Sequence, residues 1–176
     1  MHIMNPSAHE SPVPADSHSS EHAGIIIPPP FVYAAAFLLA WWLHRRVPLL
    51  LFPVSSEIAS AARVVLMWAS GLTGVALVVY TRMLFIRAGT SVFPNRPTTA
   101  LVRSGPYRFS RNPMYVSLSL ITLALAFLLN TAWLVFFLAL AVALVDRTII
   151  QREERYLERR FGDAYRAYCA RVRRWI

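Results

Sequence analysis

The stretch PMYVSLSLITLALAFLLNTAWLVFFLALAVALVDRTII, residues 113–150, reads as two apolar helices joined by a tight turn. The first runs from 113 to about 129 and the second from about 132 to 150, on the scale of bilayer-spanning helices. Pro113 can open the first helix without loss, because the N–H groups of a first turn have no intrahelical partner. Asn130 and Thr131 form the turn, which carries no charge and is too short to take the chain far from the membrane. Past Ile150 the second helix continues as a charged segment, residues 151–161, with Gly162 as its expected C-cap. Asp163 is placed to cap a final amphipathic helix ending near Trp175.

Upstream of the hairpin lies a polar connector, residues 87–112, holding Gly89, Pro94, Pro97, Gly105 and Pro106. About 25 residues without regular structure exceed what a mere connection needs, and such loops are often functional. Before it, residues 59–85 read as another span with an apolar centre at 64–80, where Gly71 and Gly74 would let a neighbouring helix approach closely. The first span, about 31–43, follows Pro28, Pro29 and Pro30 and ends on Trp41, Trp42, His44, Arg45 and Arg46, an aromatic and basic interface anchor. Between these two spans, residues 47–54 are apolar but contain Pro48 and Pro53, and read as an interfacial or re-entrant link. Residues 1–24 are rich in Ser, His, Pro and Ala and are expected to be a disordered tail; they lack the pattern of a cleaved signal peptide. The expected fold is all-α: a polytopic membrane helical bundle of about four spans, residues 25–176, with a cytoplasmic C-terminal helical extension.

Composition agrees. Of the 176 residues, 56% are hydrophobic and 15% charged, against about 25% charged in soluble domains, so much of the surface is expected to face lipid. All 18 basic residues are arginine. Arginine suits carboxylate and phosphate recognition, though arginine-biased codons would give the same composition. The net charge of +9 concentrates around the hairpin: residues 82–111 carry six arginines and no acid, residues 146–176 nine arginines and five acids. These patches border apolar spans, so anionic lipid and positive-inside topology explain them better than nucleic acid does. The rule puts both Arg-rich flanks and the N-terminus in the cytoplasm, with Arg45 and Arg46 on the wrong side. Cys169 is the sole cysteine, which excludes an intrachain disulfide and a cysteine-based metal site. His2, His9, His18 and His22 sit in the polar tail with no fixed ligand geometry, so no metal site is expected.

The hairpin brings two charged clusters to one membrane face. One is Gly105-Pro106-Tyr107-Arg108-Phe109-Ser110-Arg111-Asn112-Pro113-Met114-Tyr115, the other Gln151-Arg152-Glu153-Glu154-Arg155. The helix start at Pro113, with Arg111 beside it, favours an anion. Tyr115 shares a face with Arg111 if the helix begins early enough. Gly105 permits close backbone approach to a ligand. The same residues also fit a plain helix start with interfacial anchors. In the second cluster, Glu153 faces Leu157 and Glu154 faces Glu158 at helical spacing, so the pair lacks the usual arginine four residues on and points to a cationic partner. The alternative is a charged juxtamembrane helix. An anion site opposite a carboxylate pair fits a zwitterionic ligand.

Leu101-Val102 through Gly105-Pro106-Tyr107-Arg108, then Arg111-Asn112-Pro113-Met114-Tyr115, and later Glu153-Glu154 and Phe161-Gly162-Asp163-Ala164-Tyr165-Arg166-Ala167-Tyr168 through Arg173-Arg174-Trp175, form an ordered set. Over residues 87–176 this set resembles the isoprenylcysteine carboxyl methyltransferase and phospholipid methyltransferase family of integral membrane enzymes. The resemblance implies S-adenosylmethionine as cofactor and a lipid-like or amphipathic substrate arriving laterally from the bilayer. It also implies a cytoplasmic cofactor pocket, and with the arginine placement the expected location is a bacterial inner membrane with active site and C-terminus cytoplasmic. Val102, Gly105, Tyr107, Asn112, Pro113 and Tyr115 would line the cofactor site. Glu153 and Glu154 would hold its methionine moiety, and Arg111 and Glu154 would serve catalysis, Arg111 by meeting a cofactor or substrate carboxylate. Many members carry His where this chain has Asn112, which cannot act as a base, and this leans toward a nucleophile that is already anionic. Phospholipid N-methylation, a sterol-type NADPH reductase with a similar Tyr-x-x-x-Arg-x-Pro-x-Tyr stretch, and a non-catalytic scaffold are the alternatives.

Overall fold

The computed structural model describes residues 28–89 and 101–176, and all regular structure among them is helical. The helices are α1 (Pro29–Arg46), α2 (Glu57–Arg87), α3 (Pro113–Leu128), α4 (Ala132–Val145), α5 (Gln151–Phe161) and α6 (Asp163–Cys169). A 3₁₀ turn at Gly105–Arg108 precedes α3, and a π-helical turn at Asp146–Ile150 joins α4 to α5 in one continuous rod. The expected tail at 1–24, Ile25–Ile27, and the connector positions Thr90, Pro94 and Pro97 lie outside the described residues.

Two helices are long and apolar enough to cross a membrane, Glu57–Arg87 and the rod Ala132–Phe161; α3 is apolar but shorter. Proline stands in the first turn of α1 and of α3, as the sequence suggests. The start of α2 is fixed by Ser56, whose hydroxyl accepts from Ala59 N at 3.2 Å. α2 packs on α3, α3 on α4, and α4 on α1, which also touches α3.

The seams are made by small residues. A Cβ on Gly74 would stand 2.8 Å from Ile121 Cγ1 and 3.0 Å from the Ser117 carbonyl, so the α2–α3 approach needs glycine there. Gly71 leaves ordinary contact, 3.4 Å to Ala124 Cβ. Ala40, Ala126 and Leu134 pack together where α1, α3 and α4 meet. Val65, Leu72 and Val75 on α2 and Phe136, Leu140 and Leu144 on α4 point outward and exposed, as lipid-facing residues do.

At one end, residues 47–54 lie over the α3–α4 turn. Ala132 N donates to Leu49 O at 2.9 Å and Trp133 Nε1 to Val47 O at 2.8 Å. Asn130, in the left-handed region at φ 49°, exchanges two 2.9 Å hydrogen bonds with the Phe52 backbone. Arg63 Nη1 donates to Phe127 O and Leu128 O, closing the open carbonyls of α3. Arg45 and Arg46 lie at this end over Trp41 and Trp42.

At the other end the expected final helix is corrected. Gly162 terminates α5 at φ 52°, as read from sequence. However, α6 stops at Cys169, and Asp163 bonds Arg166 at 2.7 Å instead of capping. Residues 170–176 leave the helix as a strap because the start of α3 claims their carbonyls: Arg111 N donates to Arg173 O, and Ser110 Oγ and Asn112 Nδ2 to Arg174 O.

Candidate active site

The two charged clusters meet at this second end. α3 begins at Pro113, so Arg111 lies before the helix and does not share a helical face with Tyr115. Their side chains reach different members of the acidic pair. Tyr115 donates its hydroxyl to Glu153 Oε1 at 2.9 Å. Arg111 Nη1 lies 2.9 Å from Glu154 Oε1 and 3.0 Å from Cys169 Sγ. Its Nε is buried with no hydrogen-bond partner among the described residues.

Glu154 has a second arginine that sequence spacing does not show. Arg174 spans both its oxygens, Nε to Oε1 at 3.1 Å and Nη2 to Oε2 at 2.6 Å. Arg174 Nη1 also lies 3.4 Å from Asp146 Oδ2, while Trp175 Nε1 donates to Asp146 Oδ1 at 3.1 Å. The π turn explains why Asp146 and Glu154 converge. Eight residues in an unbroken α-helix leave two side chains roughly 80° apart. A turn that takes in about one extra residue cancels most of that offset. Asp146 and Glu154 therefore face Arg174 together, and Glu153 turns toward α3. The missing helical partners of the pair are thus supplied tertiarily, to Glu154 by two arginines and to Glu153 by a tyrosine. Glu158 pairs with Arg166 at 3.5 Å, and Arg155 donates to the Gln151 carbonyl.

This split sets the electrostatics. Glu153 sits on the charged segment beyond the apolar part of the rod, and burial, opposed by the Tyr115 hydroxyl and reinforced by the neighbouring Glu154, pushes its carboxyl up to about 7. Burial likewise raises the Tyr107 phenol, so it stays neutral.

The 3₁₀ turn is clasped between α2 and α6. Tyr168 donates to Tyr107 O at 2.7 Å, and the Tyr107 ring stands edge-on to Phe85 at 5.8 Å. Gly105 has φ 60°, and a Cβ there would meet Leu84 Cδ1 at 2.8 Å and Tyr80 at 3.0 Å. Its close approach is therefore to α2. Val102 is half-buried. Asn112 and Pro113 are buried, and the Asn112 side chain holds the strap. The Asn112 N–H goes to Ser110 Oγ, and the Tyr115 and Val116 N–H groups go to Asn112 O. The structure thus brings Arg111, Tyr115, Glu153 and Glu154 to one locus, with Tyr107, Asn112 and Pro113 framing it. Sequence reasoning missed Asp146, Arg174 and Trp175; the Arg173-Arg174-Trp175 motif was visible, but nothing in its spacing ties it to residue 146.

The sequence model of the phospholipid methyltransferases matches residues 62–164, more than half of the chain and the part that includes Arg111, Tyr115, Glu153 and Glu154. The chain belongs to this family of membrane methyltransferases. An uncharacterized protein of Haemophilus influenzae is 46% identical over 65 residues, which are 36% of this chain and the whole of that protein. No solved structure matches the chain.

Proposed function

We propose that this chain methylates a lipid-like substrate with S-adenosylmethionine as donor, at the locus formed by Arg111, Tyr115, Glu153 and Glu154. The observation that carries the reading is the division of charge there. Arg111 keeps a buried, unpartnered Nε, a donor that seeks an anion. Glu153 is a half-buried carboxyl that, among the described residues, is met by a tyrosine hydroxyl and by no arginine, an acceptor that seeks a cation. An amino acid headgroup satisfies both, and S-adenosylmethionine carries one. When bound, S-adenosylmethionine supplies an electrophilic methyl group on positively charged sulfur.

The chain's own residues supply alignment and a dry setting. Glu153 binds the cationic part of the donor, with Tyr115 fixing the orientation of its carboxylate. Arg111 takes the carboxylate, and Glu154 fixes Arg111. Tyr107, Asn112 and Pro113 frame the site, and Gly105 seats the 3₁₀ turn against α2. Among the described residues, fourteen arginines lie in residues 82–89, 101–111 and 146–176, at this end of the bundle, and three (Arg45, Arg46 and Arg63) at the other. That imbalance supports four spans with the site, both termini and the Arg-rich flanks in the cytoplasm of a bacterial inner membrane.

For the acceptor, Asn112 and the placement of His44 at the far end of α1 favour a carboxylate or another already-anionic group. A second reading, N-methylation of an amine headgroup, draws on Glu153: a carboxyl that titrates near neutrality can accept the proton an amine must lose. Full-length protein in nanodiscs, given methyl-tritiated S-adenosylmethionine and bacterial lipid extract, tests both. Label in the organic phase is the expected result. Alkali-labile label marks an ester and alkali-stable label an N-methyl product. No label above that of an Arg111→Ala control would reject the proposal.

A further inference from the structure

The strap at the chain end makes contacts that the proposed site does not use. Three donors before and at the start of α3 take the carbonyls of Arg173 and Arg174. The Trp175 ring joins the apolar cluster of Tyr33, Tyr115, Val145, Ile149 and Ile150. Its indole N–H and one Arg174 nitrogen share the two oxygens of Asp146. Arg174 is thereby held in place from the backbone side and from the Asp146 side, with its fork laid across both oxygens of Glu154.

The consequence concerns Arg111. Its Nη1 forms an ion pair with Glu154 Oε1 at 2.9 Å, yet Oε2 of the same carboxylate belongs to Arg174. A carboxylate with both oxygens open to one guanidinium pairs with it side by side, two parallel bonds from one fork. Arg174 prevents that pairing, and the Arg111 Nε is left buried with no partner among the described residues. We propose that Arg174, held by Asp146, is a positioning residue: by occupying Glu154 it keeps the Arg111 fork open for the carboxylate of the ligand. This rests on the reading of the locus as an S-adenosylmethionine site. Arg174 touches neither ligand nor reacting atoms in this account. Its effect passes through Glu154 to Arg111, and Asp146→Asn weakens it in the same direction.

The experiment compares two ligands on full-length protein in detergent: S-adenosylmethionine and its decarboxylated form, which keeps the sulfonium and amine but lacks the carboxylate. In the parent, S-adenosylmethionine binds about tenfold more tightly than the decarboxylated ligand. Arg174→Ala removes that preference by weakening S-adenosylmethionine about tenfold while the decarboxylated ligand binds as before. Arg174→Lys restores the preference only in part, since a single ammonium does not span both Glu154 oxygens. A variant that merely loosens the fold weakens both ligands alike, and that result overturns the proposal. So does an Arg174→Ala protein that keeps the full preference, or a parent that binds the two ligands equally. A parent that binds neither ligand refutes the S-adenosylmethionine reading itself, and the inference falls with it.

Discussion

Glu153→Gln separates a ligand-binding carboxylate from a solvated one through its pH dependence. With its carboxyl pushed up to about 7 by burial, Glu153 is about nine-tenths protonated at pH 6 and nine-tenths ionised at pH 8. Only the ionised form attracts a cation. The affinity of the parent for S-adenosylmethionine therefore rises about tenfold from pH 6 to pH 8, and binding at pH 7 releases about half a proton from this group. In the absence of ligand the sign reverses. The folded state holds a proton that the unfolded chain has already given up between pH 4.5 and 7, so stability falls as pH rises through about 7. Glu153→Gln removes both slopes. It keeps an acceptor for the Tyr115 hydroxyl, so the fold survives, and it is more stable than the parent at pH 8. Isothermal titration at pH 6, 7 and 8 in buffers of different ionisation enthalpy, run on parent and variant, isolates this proton from those of the ligand, and melting curves supply the stability slope. Equal pH profiles for parent and Glu153→Gln would refute the assignment of Glu153 as the carboxylate that meets the cation.

Three further outcomes are expected. Arg111→Ala lowers S-adenosylmethionine affinity about ten- to a hundredfold in a titration, and Arg111→Lys rescues it poorly because one ammonium cannot serve both Glu154 and a ligand; full recovery with Lys would mean that charge alone matters. Gly74→Ala drives a Cβ against the Ser117 carbonyl and costs about 1–3 kcal/mol in detergent unfolding, whereas Gly71→Ala, with ordinary contact, stays near the parent. Thr131 is fully buried, so topology is read from exposed Val54→Cys and Arg160→Cys in a Cys169→Ser background: an impermeant thiol reagent added to intact cells labels position 54 and spares position 160, and the opposite pattern would invert the proposed orientation.

Where a feature depends on neighbours along the chain, the sequence made it legible. Pro113 marks the start of α3, Gly162 ends α5, and Asn130 takes the left-handed turn between α3 and α4, each by local backbone chemistry. Gly71 and Gly74 announced a close helix contact, though not that α3 would be the partner. The meeting of the two charged clusters followed from the hairpin alone. What was not legible depends on contacts between distant segments. The π turn shifts the register of Glu154 relative to Asp146 by a residue that no hydropathy pattern records. The helical pattern predicted past Cys169 gives way because Ser110, Arg111 and Asn112 offer donors to that backbone. The packing of Gly105 against Tyr80 and Leu84 of α2 is likewise a contact between distant segments. The partners of Glu154 come from 43 residues before it and 20 after it, a pairing no helical spacing rule anticipates.

The central claim is that the locus at the hairpin mouth binds S-adenosylmethionine. A titration of the purified full-length chain in detergent with S-adenosylmethionine and, separately, with NADPH tests it most directly. The account predicts saturable binding of one S-adenosylmethionine per chain, weakened in Arg111→Ala and in Glu153→Gln, and no saturable binding of NADPH. Saturable NADPH binding with no response to S-adenosylmethionine, or S-adenosylmethionine binding that neither substitution weakens, would contradict it.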